Sequence, residues 1–204
     1  MTDLRALLGQ TDIYLVDQLM RGRIAPGMRI FDAGCGGGRN LVYFLREGYE
    51  VAGVDGDAAA VGAVRRLAAE WAPKLPAENF RHEPIESHSF PRPGAEVVIS
   101  SAVLHFARDP GHFHAMLEAS WAALAPGGLF FCRLASTIGM EGRFRPLGAG
   151  RFALPDGSER FLVDAETLLS LTARLGGELL DPLKTTVVHD QRAMTTWVLR
   201  RENG

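Results

Sequence analysis

Four glycines crowd the run Asp32-Ala33-Gly34-Cys35-Gly36-Gly37-Gly38-Arg39-Asn40, and Asp55 follows it. Glycine density of this kind lets a backbone turn tightly and approach a ligand that a Cβ would exclude. A carboxylate about twenty residues beyond such a loop can accept hydrogen bonds from both hydroxyls of a ribose. Alone, either feature also fits a plain strand-to-helix turn or a solvated strand end; their combination in one βαβ unit favours a ligand. The third glycine decides which ligand. A dinucleotide fingerprint needs glycine at its first, third and sixth positions, where helix and strand pack beside a pyrophosphate. Counted from Gly34, the sixth position is Arg39; counted from Gly36, it is Leu41. Both frames fail. A ligand with a ribose and no pyrophosphate fits better.

These residues need strands to carry them. Met28 to Ala33 reads as a buried strand opened by the turn Pro26-Gly27. The spacing after the glycines predicts a helix with Leu41, Phe44 and Leu45 on one face, stopped by Gly48. Val51 to Val54 is a second strand, closed by Asp55-Gly56, and Asp57 caps a helix with Val61, Val64, Ala68 and Trp71 on its apolar face. A weaker strand surrounds Asn79 to His82, and a clearer one runs from Glu96 to Ser100. Asp109-Pro110 opens a helix burying Phe113, Met116, Leu117, Trp121 and Leu124, and Leu129 to Leu134 forms the fifth strand. Single helices between strands imply crossovers and a parallel sheet covered on both faces. The fold expected is a doubly wound, Rossmann-like α/β domain spanning residues 1–204.

Two regions break the rhythm. Residues 1–25 carry an amphipathic helical segment, with Leu4, Leu7, Leu8, Ile13, Val16 and Met20 apolar. Residues 135–163 are glycine-rich and read as a lid-like insertion holding a hairpin that turns at Asp156-Gly157. Asp164 then caps a last helix with Leu168, Leu171 and Leu175, and β-like runs at Leu179 to Val188 and Met194 to Leu199 finish the sheet.

The sequence resembles the class I S-adenosylmethionine-dependent methyltransferases. Asp32 to Gly38 looks like their first motif and Val54-Asp55 like their second acidic position. Ala95 to Ile99 with Val103-Leu104-His105 is similar to their fourth-strand region, and Leu124 to Leu129 to the turn before the fifth strand. Arg39-Asn40 and the overall length resemble the small tellurite-resistance-type members. The resemblance implies a mostly parallel, seven-stranded sheet with an antiparallel last strand, and S-adenosylmethionine as cofactor. It further implies that Asp32 belongs to the cofactor motif, with Gly34, Cys35 and Gly36 lining the methionine and ribose through backbone groups. Arg39 and Asn40 fall in the same binding loop. Asp55 would hold the ribose, Gly56 would admit the adenine, and Ser101 would stand at the methionine end. For the adenine amino group the run His82-Glu83-Pro84-Ile85-Glu86 leaves Glu83, Glu86 or the Ile85 backbone N–H.

His105 follows the fourth strand, beside the expected methyl group, where a near-neutral pKa would suit a general base; the alternative is a packed loop histidine. Cys35 at a helix start is either an activated thiol or a small residue in a crowded turn. Arg143, Arg145, Arg151 and Arg160 either bind an anionic substrate or form a solvated face with Glu141, Asp156 and Glu159. Within the expected lid, Phe144, Phe152 and Phe161 could cover an apolar acceptor, with Asp12 and Tyr14 closing the site from the other side. The histidines lack metal-ligand spacing: His112 and His114 stand two apart on one helix and face apart.

Of 204 residues, 22 are basic and 24 acidic, for a net charge of −2, which argues against a dedicated polyanion binder. Neither an Asn/Asp-Pro-Pro-Tyr tetrad nor a Pro-Cys nucleophile is found, so DNA methylation is disfavoured. Two cysteines far apart, no basic-then-apolar start and no long apolar run point to a cytoplasmic, metal-independent protein acting on a small molecule, without nucleic acid or membrane partners. Two rival readings stand beside methyl transfer: a non-catalytic S-adenosylmethionine-binding regulator and a nicotinamide-dependent oxidoreductase.

Overall fold

Apolar residues alternate between two cores along every central strand, because successive side chains of a strand point to opposite faces. Ile30, Val51, Val97, Ile99 and Phe131 belong to one core and Phe31, Ala52, Val98 and Phe130 to the other. The structure, a computed structural model, describes residues 3–203. The chain runs through α1 (Leu4–Leu8), α2 (Ile13–Met20), β1 (Arg29–Ala33), α3 (Val42–Arg46), β2 (Glu50–Asp55) and α4 (Ala58–Trp71). There follow β3 (Phe80–His82), β4 (Ala95–Ser101), α5 (Pro110–Ala123) and β5 (Leu124–Ala135). β6 (Arg145–Gly148), β7 (Arg151–Ala153) and β8 (Glu159–Phe161) precede α6 (Ala165–Arg174). β9 (Gly177–Leu179), β10 (Lys184–Val188) and β11 (Arg192–Arg201) complete it.

The main sheet has the order β10-β11-β5-β4-β1-β2-β3. β1 to β5 are mutually parallel, and β11 runs antiparallel to β5 and to β10. This is the expected sheet, with one refinement. The run expected from Leu179 to Val188 divides around Pro182 into β9 and β10, which pair successive stretches of β11. Helices α2, α3 and α4 cover one face, while α5 and α6 cover the other.

Asp3, Asp12, Asp57, Asp109 and Asp164 each cap a helix through a side-chain oxygen. Such caps contribute on the order of 1 kcal/mol apiece. The N-terminal expectation needs correction, and its first two residues lie outside the described residues. Gly9, at φ +57°, breaks the segment into α1 and α2. Ile13 and Met20 face outward at 70% and 84% exposure, while α2 buries Val16, as expected, together with Leu15. Trp71 likewise lies at the surface, its ring under the Arg46 guanidinium at 4.1 Å.

The insertion is a separate antiparallel sheet, β6-β7-β8, rather than a single hairpin. Its aromatics pack inward. Phe144 meets Phe152 edge-on at 5.0 Å, and Phe161 stacks on Phe113 at 4.9 Å.

Candidate functional site

The carboxyl ends of β1, β2 and β4 open onto a cavity of about 430 Å³. A tight turn brings the glycine loop over it: the N–H groups of Gly34 and Cys35 both donate to the Val54 carbonyl at 2.9 Å. Gly34 and Gly36 hold φ of +91° and +51°, a region that L side chains rarely occupy. Asp55 Oδ2 accepts from Gly36 N at 2.8 Å and Oδ1 from Asp57 N at 2.9 Å. A carboxylate has about four acceptor positions. Each oxygen of Asp55 therefore keeps capacity for one more donor on the cavity side.

Gly34, Cys35, Gly36, Arg39, Asn40, Asp55, Gly56, Ile85 and Ser101 all line this cavity. Asp32 and Glu83 do not. The Glu83 carboxylate accepts from Ser89 N and Ser89 Oγ, both at 2.7 Å, and Glu86 pairs with His112 at 3.2 Å. Of the three alternatives for an adenine amino group, only Ile85 faces the cavity. Cys35 is a packing residue: burial pushes its thiol pKa up, and a Cβ on the neighbouring Gly53 would come within 2.9 Å of it.

Asp32 is buried, and its Oδ2 has no partner among the described residues. Burial raises its pKa to about 7; the Arg39 charge opposes the rise and the Asp55 charge adds to it. An ordinary Asp titrates near ~3.9 when unfolded. The folded state thus binds the proton more tightly, and stability falls as pH climbs between those two values. The cost reaches about 4 kcal/mol at most above neutrality. Asp32→Asn should remove it. Urea unfolding of the ligand-free protein should show the variant gaining on the wild type by several kcal/mol between about pH 4 and pH 8. A difference that stays constant with pH would mean Asp32 is not the proton-binding group.

Asp12 ties the N-terminal segment to the site. Its N–H donates to Asn40 Oδ1 at 3.0 Å, and its Oδ2 accepts from Ser101 Oγ at 3.2 Å and Arg133 Nη1 at 3.1 Å. Ser101 Oγ in turn accepts from Arg39 Nη2 at 3.2 Å.

His105 stands just after the fourth strand, as expected. It lines a second cavity of about 350 Å³ that shares Ala102 and Phe106 with the first. Its Nδ1 accepts from Ala135 N at 3.1 Å. Burial first, then the charges of Arg160 and Arg133, lowers its pKa to about 4. In this neutral ring Nε2 carries the hydrogen. The ring can donate there and has no free lone pair to take a proton, so the expectation of a near-neutral general base is corrected.

Arg133 and Phe106 were not singled out in the sequence, and Met116 was read there only as a buried helix residue. A lone arginine inside the apolar run Leu129 to Leu134 was a usable signal for the first. Ala102 was equally hidden; at φ +64° it turns the chain sharply between the two cavities.

Residues 30–128 match the family described as Methyltransferase domain. An uncharacterized methyltransferase of Synechocystis sp. is 27% identical over 107 residues, covering 52% of this chain and 47% of that protein. The ubiquinone biosynthesis O-methyltransferase of Cronobacter sakazakii is 32% identical over 130 residues, 60% of this chain and 51% of that one. The chain spans about half the length of these relatives. A solved S-adenosylmethionine-dependent methyltransferase from Methanosarcina mazei superposes with TM-score 0.71 at 19% identity, covering 91% of this chain and 98% of that one. The 1,6-didemethyltoxoflavin-N1-methyltransferase of Burkholderia thailandensis, solved with 1,6-didemethyltoxoflavin and S-adenosylhomocysteine, gives 0.70 at 18% identity, covering 98% and 80%. These structures share the fold. Among the described residues no helix is long and apolar enough to cross a membrane.

Proposed function

We propose that the chain, whose residues 30–128 match a methyltransferase-domain family, is a class I S-adenosylmethionine-dependent enzyme moving a methyl group from that cofactor to a small-molecule acceptor. The observation that carries this reading is the first cavity, where Asp55 offers two open acceptor positions beside a glycine loop shaped for close approach. Its volume falls within the ~300–1,000 Å³ range of small-molecule sites. The residues fit the cofactor: Asp55 would hold the ribose hydroxyls, Gly56 and the Ile85 backbone would flank the adenine, and Ser101 and the Gly34–Gly36 backbone would hold the methionine portion. The unpartnered Asp32 carboxyl lies two residues before that loop.

When bound, the cofactor supplies an activated methyl group on a sulfonium sulfur. The chain's own contribution is orientation, and alignment alone can lower a barrier by roughly 7–11 kcal/mol in favourable cases. The second cavity opens where the first ends, at Ala102 and Phe106, and is the natural place for the acceptor. Residues 135–163 supply Leu154, Asp156, Ser158 and Arg160 to its wall, which supports their reading as a lid that excludes water. An adjoining acceptor cavity favours an enzyme over a regulator that only binds the cofactor.

Calorimetric titration with S-adenosylmethionine, S-adenosylhomocysteine and NAD tests the reading. The first two should bind and NAD should not; NAD binding alone would replace it with the oxidoreductase. Transfer of labelled methyl to an acceptor panel would then separate enzyme from regulator.

A further inference from the structure

We propose that the second cavity selects acceptors bearing a single carboxylate, gripped by Arg160 with help from Arg133 and Arg192. This rests on the reading of that cavity as the acceptor site. Three guanidinium groups line it: Arg133 from β5, Arg160 from β8 and Arg192 from β11. Two are already compensated. Arg133 pairs with Asp12 at 3.1 Å and Arg192 with Asp156 at 3.3 Å. Arg160 has no ion pair among the described residues; its Nη1 donates to the Glu159 carbonyl at 2.7 Å and its guanidinium lies 4.8 Å over the Phe106 ring.

Of the other polar groups on the wall, Asp156 accepts from Ser158 N, Ser158 Oγ and Arg192, while the Nε2–H of His105 has no partner among the described residues. An uncompensated guanidinium on the same wall as an unpartnered ring N–H calls for an oxyanion, and a guanidinium fork matches a carboxylate in shape. Charge then fixes the number. One uncompensated cation faces a neutral histidine, so a monoanion is balanced, whereas a dianionic phosphate would leave one charge unpaired in a half-enclosed space. Leu154, Val188 and Met194 make the rest of the wall apolar, suiting a hydrocarbon or aromatic body.

Phe106 stands at the shared mouth with Arg160 stacked above it, so a carboxylate held by Arg160 would lie beside the opening toward the first cavity. The same guanidinium closes the lid onto the fourth-strand loop, so selection and water exclusion would use one contact.

The test measures binding of benzoate, 4-hydroxybenzoate and hexanoate, the corresponding amides, and phenyl phosphate. Each is titrated into the protein with and without saturating S-adenosylhomocysteine. Carboxylates should bind at least tenfold tighter than their amides, and phenyl phosphate no tighter than benzoate. Arg160→Gln should weaken carboxylate binding at least tenfold while moving amide and S-adenosylhomocysteine affinity less than twofold; Arg160→Lys should recover part of the loss. Amides matching acids, phosphate outcompeting them, or an acid preference that survives Arg160→Gln would each overturn the proposal. Urea unfolding of Arg160→Gln checks that any loss of binding is not loss of the fold. Failure of wild type to bind S-adenosylhomocysteine would instead count against the cofactor reading, while the titrations without it still judge the anion site.

Discussion

Asp55→Ala should weaken S-adenosylhomocysteine binding by about 10²-fold, and by no less than tenfold, in a protein that remains folded. Two hydrogen bonds from ribose hydroxyls to a carboxylate contribute about 1.5–3 kcal/mol each. The same carboxylate also anchors the loop, through Gly36 N at 2.8 Å, and the start of α4, through Asp57 N at 2.9 Å. Losing those anchors lets the cradle relax, which adds to the direct loss. Asp55→Asn should lose less than Asp55→Ala, because its one carbonyl oxygen can keep one anchor and one ribose contact but not the full set. Calorimetry measures affinity, and urea unfolding confirms the fold. Affinity unchanged within threefold in folded Asp55→Ala would remove Asp55 from the cofactor site.

Gly34→Ala should be nearly as damaging, for a steric reason. A Cβ on Gly34 would come within 2.6 and 2.7 Å of the two Val103 methyl carbons and 3.2 Å of Ile85 Cδ1. The φ of +91° is itself unfavourable to alanine, at about 1–2 kcal/mol. Overpacking adds ~1–3 kcal/mol. Val103 and Ile85 both line the cavity, so relief of the clash pushes them into the space meant for the ligand. Stability should drop by roughly 2–5 kcal/mol and S-adenosylhomocysteine affinity at least tenfold. Gly36→Ala provides the contrast, since nothing lies within 4 Å of its Cβ and only backbone strain remains. The double variant Gly34→Ala, Val103→Ala should regain most of the affinity. No recovery there would mean the clash is not the cause.

The first half of the site was legible because its chemistry is local. Strand, glycine turn, helix and the second carboxylate follow one another in sequence, so Gly34, Gly36 and Asp55 could be named before their geometry was known. Patterning of this kind says less about contacts made across the fold. His105 illustrates the gap: its position was read correctly as a loop after the fourth strand, yet its tautomer is set by Ala135 N, a β5 group that no local pattern relates to it. Glu83 was a reasonable acid at the right strand end, but Ser89 six residues on claims both its oxygens. The N-terminal segment failed differently. Its apolar residues look amphipathic over twenty positions only if the helix is continuous, and Gly9 interrupts it.

The two cavities also draw on different stretches of the chain. Every residue lining the first lies between Gly34 and Met116, inside the stretch 30–128 that matches the methyltransferase family. Apart from Ala102, His105 and Phe106, the second is lined from Arg133 onward, wholly outside that stretch. If the second cavity takes the acceptor as proposed, substitutions after residue 128 would reshape its wall without replacing any residue of the first cavity. Arg133, tied through Asp12 to Ser101, is a position where a change on one side would be felt on the other.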